Sequence, residues 1–171
     1  VGLGLDPPTM NLTLANAGAG SIPTGTHEYL YTWVAQHTLP AGDYYKHESS
    51  PKLPTTTAPE IVLASDSKVN VTRTESPLDA QVTHWRLYRR ADTMPLFLRV
   101  GEYPITQMVV EDDLPNTSLS AELEDDNDKP PILKRIVKFG PLLVGFGNPD
   151  NKGYLYWCKP ERLDQWPLDY I

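Results

Sequence analysis

Residues 27–36 read HEYLYTWVAQ, and the alternation within them decides the fold class. Tyr29, Tyr31 and Trp33 recur with a period of two. That period puts the three rings on one face of an extended chain, whereas a helix would spread them around its axis. The same pattern returns further along. In QVTHWRLYRR (81–90), Val82, His84, Arg86 and Tyr88 oppose Thr83, Trp85 and Leu87. Ile61 and Leu63, then Val69 and Val71, alternate around an Asp66-Ser67 turn. Phe97 and Leu98 precede Val100 and Tyr103, and QMVVEDD (107–113) supplies one more short segment. Each is bounded by Pro, Gly, Asn or Asp, the residues that end strands. Seventeen prolines, spread from Pro7 to Pro167, leave almost no window for a helix of three turns.

The pattern predicts an all-β chain with six or seven strands between about residues 24 and 113. That count and spacing match an immunoglobulin-like or fibronectin type III-like sandwich. Cys158 is the one cysteine, so no internal disulfide exists and the fibronectin type is favoured. Residues 24–119 are assigned to the sandwich, and residues 1–23 to an extended segment before it. Trp33, Trp85 and Tyr88 are expected to pack in its core. The segment SLSAELEDDNDKPP (118–131) is acidic, then proline-rich, and residues 120–131 read as a linker. Beyond it, ILKRIVKF, LLVGFG and YLYWC are separated by tight turns, so residues 132–171 are expected to form a short antiparallel β-meander. A sheet of this size must bury its apolar face against something else.

Charge and composition narrow the function. A net charge of −7 argues against nucleic-acid wrapping, because phosphate binding draws on clustered Lys and Arg. The basic groups Arg86, Arg89, Arg90 and Lys134, Arg135, Lys138 are expected to face solvent beside carboxylates. No apolar run approaches the roughly 18 residues that span a bilayer, so no membrane insertion is expected. Val1–Leu5 is not Met-initiated and lacks the regions of a signal peptide, so the chain reads as a fragment or a processed product. Three N-x-[ST] sequons, at Asn11, Asn70 and Asn116, barely exceed chance.

Catalytic signatures are missing from the pattern. Cys158 sits in an apolar strand, where a buried inert thiol is the usual state, and the four histidines lie far upstream. The ten-residue spacing of His27, His37 and His47 is not a metal-ligand spacing. The runs Glu111, Asp112, Asp113 and Glu122, Glu124, Asp125, Asp126, Asp128 lack the D-x-D-x-D-G loop of a calcium site. No catalytic, cofactor-binding or metal residue is therefore assigned, and no cofactor is expected. The densest aromatic stretch, YLYWCKPERLDQWP (154–167), offers Tyr154, Tyr156, Trp157 and Trp166 as interface candidates.

In order, GTHEYLYTWVAQ, ESSPKLPT, VTHWRLYRR, FLRVGEYPITQMVVEDDLPNTSLSAEL, KPPILKRIVKFGPLLVGFG and YLYWCKPERLDQWP span nearly the whole chain. This succession resembles a group of tailed-bacteriophage virion proteins in which a fibronectin-type domain leads into a β-propeller-like domain. Each motif is short, and their colinearity carries the likeness. The resemblance implies a non-enzymatic structural protein of the virion, in the tail or head-to-tail connector region. It would act through protein–protein contacts in a ring of identical copies and with other virion proteins. The alternative is a carbohydrate- or cell-surface-binding adhesion module, in which exposed Tyr and Trp rings stack on sugars.

Overall fold

The computed structural model describes residues 4–38, 44–52, 58–124, 127, 129–160, 162 and 165–167. It is all-β and antiparallel, with one 3₁₀ turn at Asn116–Ser118 and no α-helix among the described residues. One sheet has the order β1 (Thr13–Ile22), β5 (Ser67–Thr72), β8 (Val109–Asp112). The second has the order β3 (Tyr44–Glu48), β2 (Gly25–Thr38), β6 (Val82–Ala91), β7 (Leu98–Pro104), and β4 (Glu60–Leu63) also pairs with β2. A third, separate sheet has the order β11 (Leu155–Trp157), β10 (Leu142–Phe146), β9 (Arg135–Phe139).

The first two sheets face each other as a sandwich. Tyr29, Tyr31, Trp33, Trp85 and Leu87 from one, and Ile22, Val69, Val71 and Val110 from the other, make one buried cluster. The period-two positions of HEYLYTWVAQ are therefore the inward ones, with Tyr31 edge-on to Trp33 and Trp85. Trp33 and Trp85 pack in the core as expected. Tyr88 is also buried but points to the opposite face, where its hydroxyl donates to Glu48 Oε1 at 2.6 Å.

The charged groups inside this core have specific partners, although Arg73 Nε and Arg89 Nε make no hydrogen bond. Arg89 is fully buried and follows Trp85 and Leu87 on the inward side of β6. Its Nη1 donates to Asp112 Oδ2 at 2.5 Å, and its Nη2 to the Leu114 carbonyl at 2.6 Å. Tyr29 adds a hydroxyl donor to the same carboxylate oxygen at 2.9 Å. The pair thus joins β6 in one sheet to β8 in the other. The basic residues around Arg89 in sequence suggest a solvent-facing cation. The inward parity of β6 overrides that expectation, and Asp112 supplies the counter-charge that makes burial tolerable.

Arg73 is buried as well, with its guanidinium 5.2 Å from the Trp33 ring centre and 5.6 Å from that of Trp85. A desolvated cation over aromatic faces gains about 2 kcal/mol. Arg73 also donates to the carbonyls of Glu75 and Ile105.

Two boundaries differ from those the sequence suggests. The expected extended segment 1–23 does not stand apart over its described residues 4–23, since β1 pairs with β5 and Leu5, Leu12 and Ile22 enter the core. The Glu75 carboxylate fastens this segment, accepting from the Thr9 and Met10 amides, the Thr9 hydroxyl and the Tyr31 hydroxyl. Gly20 is required where β1 passes β5, because a Cβ there would lie 2.7 Å from the Lys68 backbone nitrogen. The expected linker at 120–131 also begins as structure: the Arg99 amide bonds the Ala121 carbonyl and the Leu123 amide bonds the Phe97 carbonyl, extending the β7 edge. Asp125, Asp126 and Asp128 of that run lie outside the described residues.

Removing one member of a buried ion pair leaves the other uncompensated. Arg89→Met and Asp112→Leu should each cost about 3–5 kcal/mol in urea unfolding, while the double substitution should recover most of the loss. Additive losses in the double variant would mean that the two residues act separately.

Candidate functional site

Two surfaces outside the sandwich core have the character of binding sites. The first is the meander. In antiparallel register Val144 lies opposite Val137 and Trp157, Phe146 opposite Leu155, and Leu142 opposite Phe139. Registered partners share a face. Val137, Phe139, Val144, Phe146, Leu155 and Trp157 therefore project from one side of the sheet, together with Arg135 and with Leu142 at the strand end. Phe139 is 74% exposed, Leu155 54% and Val137 53%. Val144 and Trp157 are half-buried.

The other side of the same sheet is covered over β10 and β11 and open along β9, where Ile136 is 43% exposed. Tyr156, Cys158 and Trp166 form its small core, with Leu133, Leu142 and Leu143 against them. Leu133 sits over Gly145, where a Cβ would lie 2.2 Å from Leu133 Cδ1. The Cys158 sulfur accepts the Leu143 amide at 3.0 Å, and the thiol is buried.

The four aromatic interface candidates thus divide. Tyr156 and Trp166 belong to the meander's core, Trp166 being 1% exposed. Trp157 lies on the open face, and Tyr154 is 46% exposed with its ring 6.4 Å from that of Tyr156. Val137, Phe139, Phe146 and Leu155 are not among the residues the sequence singles out. Their signal is the alternation in RIVKF and LLVGF, which marks a two-faced strand without saying which face is covered.

The second surface is a polar cleft of about 360 Å³ on the outward side of the five-stranded sheet. Its floor is built from Lys46, Glu48, Arg86 and Tyr88, and Glu102 lies beside it. The buried Glu48 carboxylate accepts from Thr32, Tyr88 and Arg86. Arg86 and Lys46 both donate to Glu102. Its walls include Tyr45, Arg99, Glu122, Glu124 and Arg162.

The histidines and acidic runs do not converge. His27 donates to the Pro23 carbonyl, and His37 packs its ring 5.2 Å from that of His47. Burial holds the His27 imidazole below its usual range. Glu111 pairs with Lys68, Asp112 with Arg89, and Asp113 accepts the Ser21 amide. No group of three potential metal ligands occurs among the described residues. Among the same residues, no helix is long and apolar enough to cross a membrane.

Comparisons of the chain with protein-family models, with curated proteins and with solved structures find no match.

The cleft floor has a pH signature. Burial pushes the Glu102 carboxyl up, but Lys46 and Arg86 outweigh it and hold the carboxyl below its usual range. A carboxyl lowered on folding stabilises the protein above its unfolded value, about 4.3, and that contribution fades as pH falls through the lowered folded value. Acid unfolding followed by circular dichroism should therefore show stability falling more steeply below that range in the wild type than in Glu102→Gln. Equal slopes would mean that Glu102 gains nothing from its cationic partners.

Proposed function

We propose that this chain is a non-enzymatic assembly module of a tailed-bacteriophage virion, from the tail or head-to-tail connector region. It works through protein–protein contacts in a ring of identical copies. The observation that carries the reading is the open apolar face of the meander. Val137, Phe139, Phe146 and Leu155 are exposed side by side on a sheet whose other face is covered over β10 and β11 by Tyr156, Cys158 and Trp166. Contiguous apolar surface on a sheet face marks an interaction site more often than isolated exposed side chains do.

Charge favours a second copy as the occupant. Residues 132–171 carry six Lys or Arg against four Asp or Glu, whereas residues 1–131 carry nine against eighteen. The meander is thus slightly basic and the remainder strongly acidic. A meander seated on the acidic part of a neighbouring copy makes a head-to-tail contact, and such contacts close into rings when the rotation permits. Lys134, Arg135 and Lys138 are exposed on or beside the edge strand β9, and charges there discourage edge-to-edge pairing. The contact is made by the face. The colinear motifs that resemble phage virion proteins support the same reading, with the sandwich as the fibronectin-type part and the meander as the beginning of the propeller-like part.

Sedimentation over a range of concentrations tests the proposal. The wild-type chain should form larger species as concentration rises, Val137→Asp/Phe139→Asp should remain monomeric, and Arg135→Glu, on the same face opposite Phe146, should associate more weakly. Both apolar residues are exposed, so far-UV circular dichroism should be unchanged. A wild-type chain that stays monomeric at its highest soluble concentration, or association that survives Val137→Asp/Phe139→Asp, would overturn it. A monomer that instead binds a different protein through this face would do the same for the self-assembly reading.

A further inference from the structure

The sandwich buries one titratable side chain that its ion pairs do not use, and it lies in a different sheet from the meander's open face. His27 heads the inward row of β2 that continues through Tyr29, Tyr31 and Trp33, and it is 1% exposed. It sits opposite Ile61 of β4 and Ala91 of β6. We propose that His27 is an acid-sensitive latch on the corner between β1 and β2. Neutral, it keeps β1 docked; protonated, it leaves the interior and lets β1 peel from β5.

The bonding of the ring sets its resting state. Its Nε2 lies 2.8 Å from the Pro23 carbonyl oxygen. A carbonyl can only accept, so the neutral ring carries its proton on Nε2 and a lone pair on Nδ1. Nδ1 is buried and has no hydrogen-bond partner. A second proton would therefore find no acceptor, and it would place a cation away from water.

The surrounding charges do not offset that cost. Arg89 of β6 acts on the ring as a second cation. Asp112 of β8 favours a charged ring, but its Oδ2 already receives Arg89 and Tyr29. Asp92, just past β6, does the same from an exposed position, where solvent screens it. Glu28 and Glu60 pair on the outer face of their sheet, alternate to His27 and Ile61. Lys68 of β5 alternates with inward Val69, and β1 has no ionisable residue. Burial outweighs the two carboxylates and holds the imidazole below its usual range.

The corner is where this group can move a strand. Ile22 at the end of β1 is fully buried, and the Pro23 carbonyl held by His27 follows it directly. Thr24 supplies the other ties, to the Leu63 carbonyl and the Asp66 carboxylate. β1 itself is weakly built, because its ladder with β5 shifts register twice and its Ala, Gly and Asn have low strand propensity. Such a strand opens before the core strands do. A protonated ring that turns to water abandons Pro23 and loosens the corner. Opening returns the imidazole to its ordinary value, about 6.5, above the folded one. The docked state is thus fully favoured above that pH, and its advantage falls as pH drops towards the folded value, by at most tenfold per pH unit.

Hydrogen exchange of the full chain at pH 7.5 and 5.5, corrected for intrinsic exchange rates, tests the latch. Opening across the β1 and β5 ladder should increase severalfold at the lower pH, with a ceiling of about tenfold, while that across β6 and β7 should not change. His27→Gln keeps an amide donor for Pro23 and cannot take up a proton, so its β1 and β5 exchange should be the same at both pH values. The wild-type ring gives a second readout by NMR: its carbon shifts at pH 6.5 should be mainly those of the neutral Nε2–H form. Exchange of β1 that ignores pH, an equal acid response in His27→Gln, or a His27 ring half protonated at or above pH 6.5 would each overturn the inference.

Discussion

The contact between Arg89 and Asp112 is the constraint on which the sandwich depends. A guanidinium and a carboxylate, both removed from water, are tolerable only in contact and with their remaining polar atoms largely partnered. Asp112 receives Arg89 and Tyr29, and Arg89 reaches on to the Leu114 carbonyl. The pair therefore fixes β6 against β8 across the two sheets. It also fixes parity: with Trp85, Leu87 and Arg89 inward, Arg86 and Tyr88 must point outward. Those two side chains, joined by Glu48 from β3, are the floor of the polar cleft. The buried pair and the outer site are consequences of one strand's alternation.

The meander obeys a different balance. Its core is three buried side chains, Tyr156, Cys158 and Trp166, with leucines packed around them. A sheet of three short strands gains little burial from so small a cluster. It is tied back through Lys159, which reaches Glu124 and Asn127. The sandwich has two faces of its own to bury against each other, whereas the meander has covered part of one face and holds the other open. That contrast is why the proposed assembly role is placed on the meander.

Much of this organisation was legible in the sequence. Period two in residues 27–36 and 81–90 gave the strands, and the strand count gave the all-β class. The parts that were not legible have physical reasons. β1 is hidden in TLANAGAGSI, whose Ala, Gly and Asn have low strand propensity, so its place in a sheet comes from pairing with β5. The alternation around Asp66-Ser67 marks two strands joined by a turn but not their sheets: β4 and β5 lie in different ones, because the chain crosses the sandwich there. Arg89 looks like a surface cation until Asp112, 23 positions away, is seen beside it. The aromatic richness of residues 154–167 pointed to the meander but not to its open face. Tyr156 and Trp166 lie on the covered side, and aliphatic and phenylalanine side chains dominate the other.

The sandwich is complete within one chain, and on the assembly reading the meander is not. Hydrogen exchange measured at low and high protein concentration tests this contrast most directly. Amides of 135–146 should exchange quickly in the dilute chain and gain protection as concentration rises, while those of β2 and β6 should be equally protected at both. Exchange at 135–146 that is slow in the dilute chain and independent of concentration would show that the meander needs no neighbour, and would contradict the contrast.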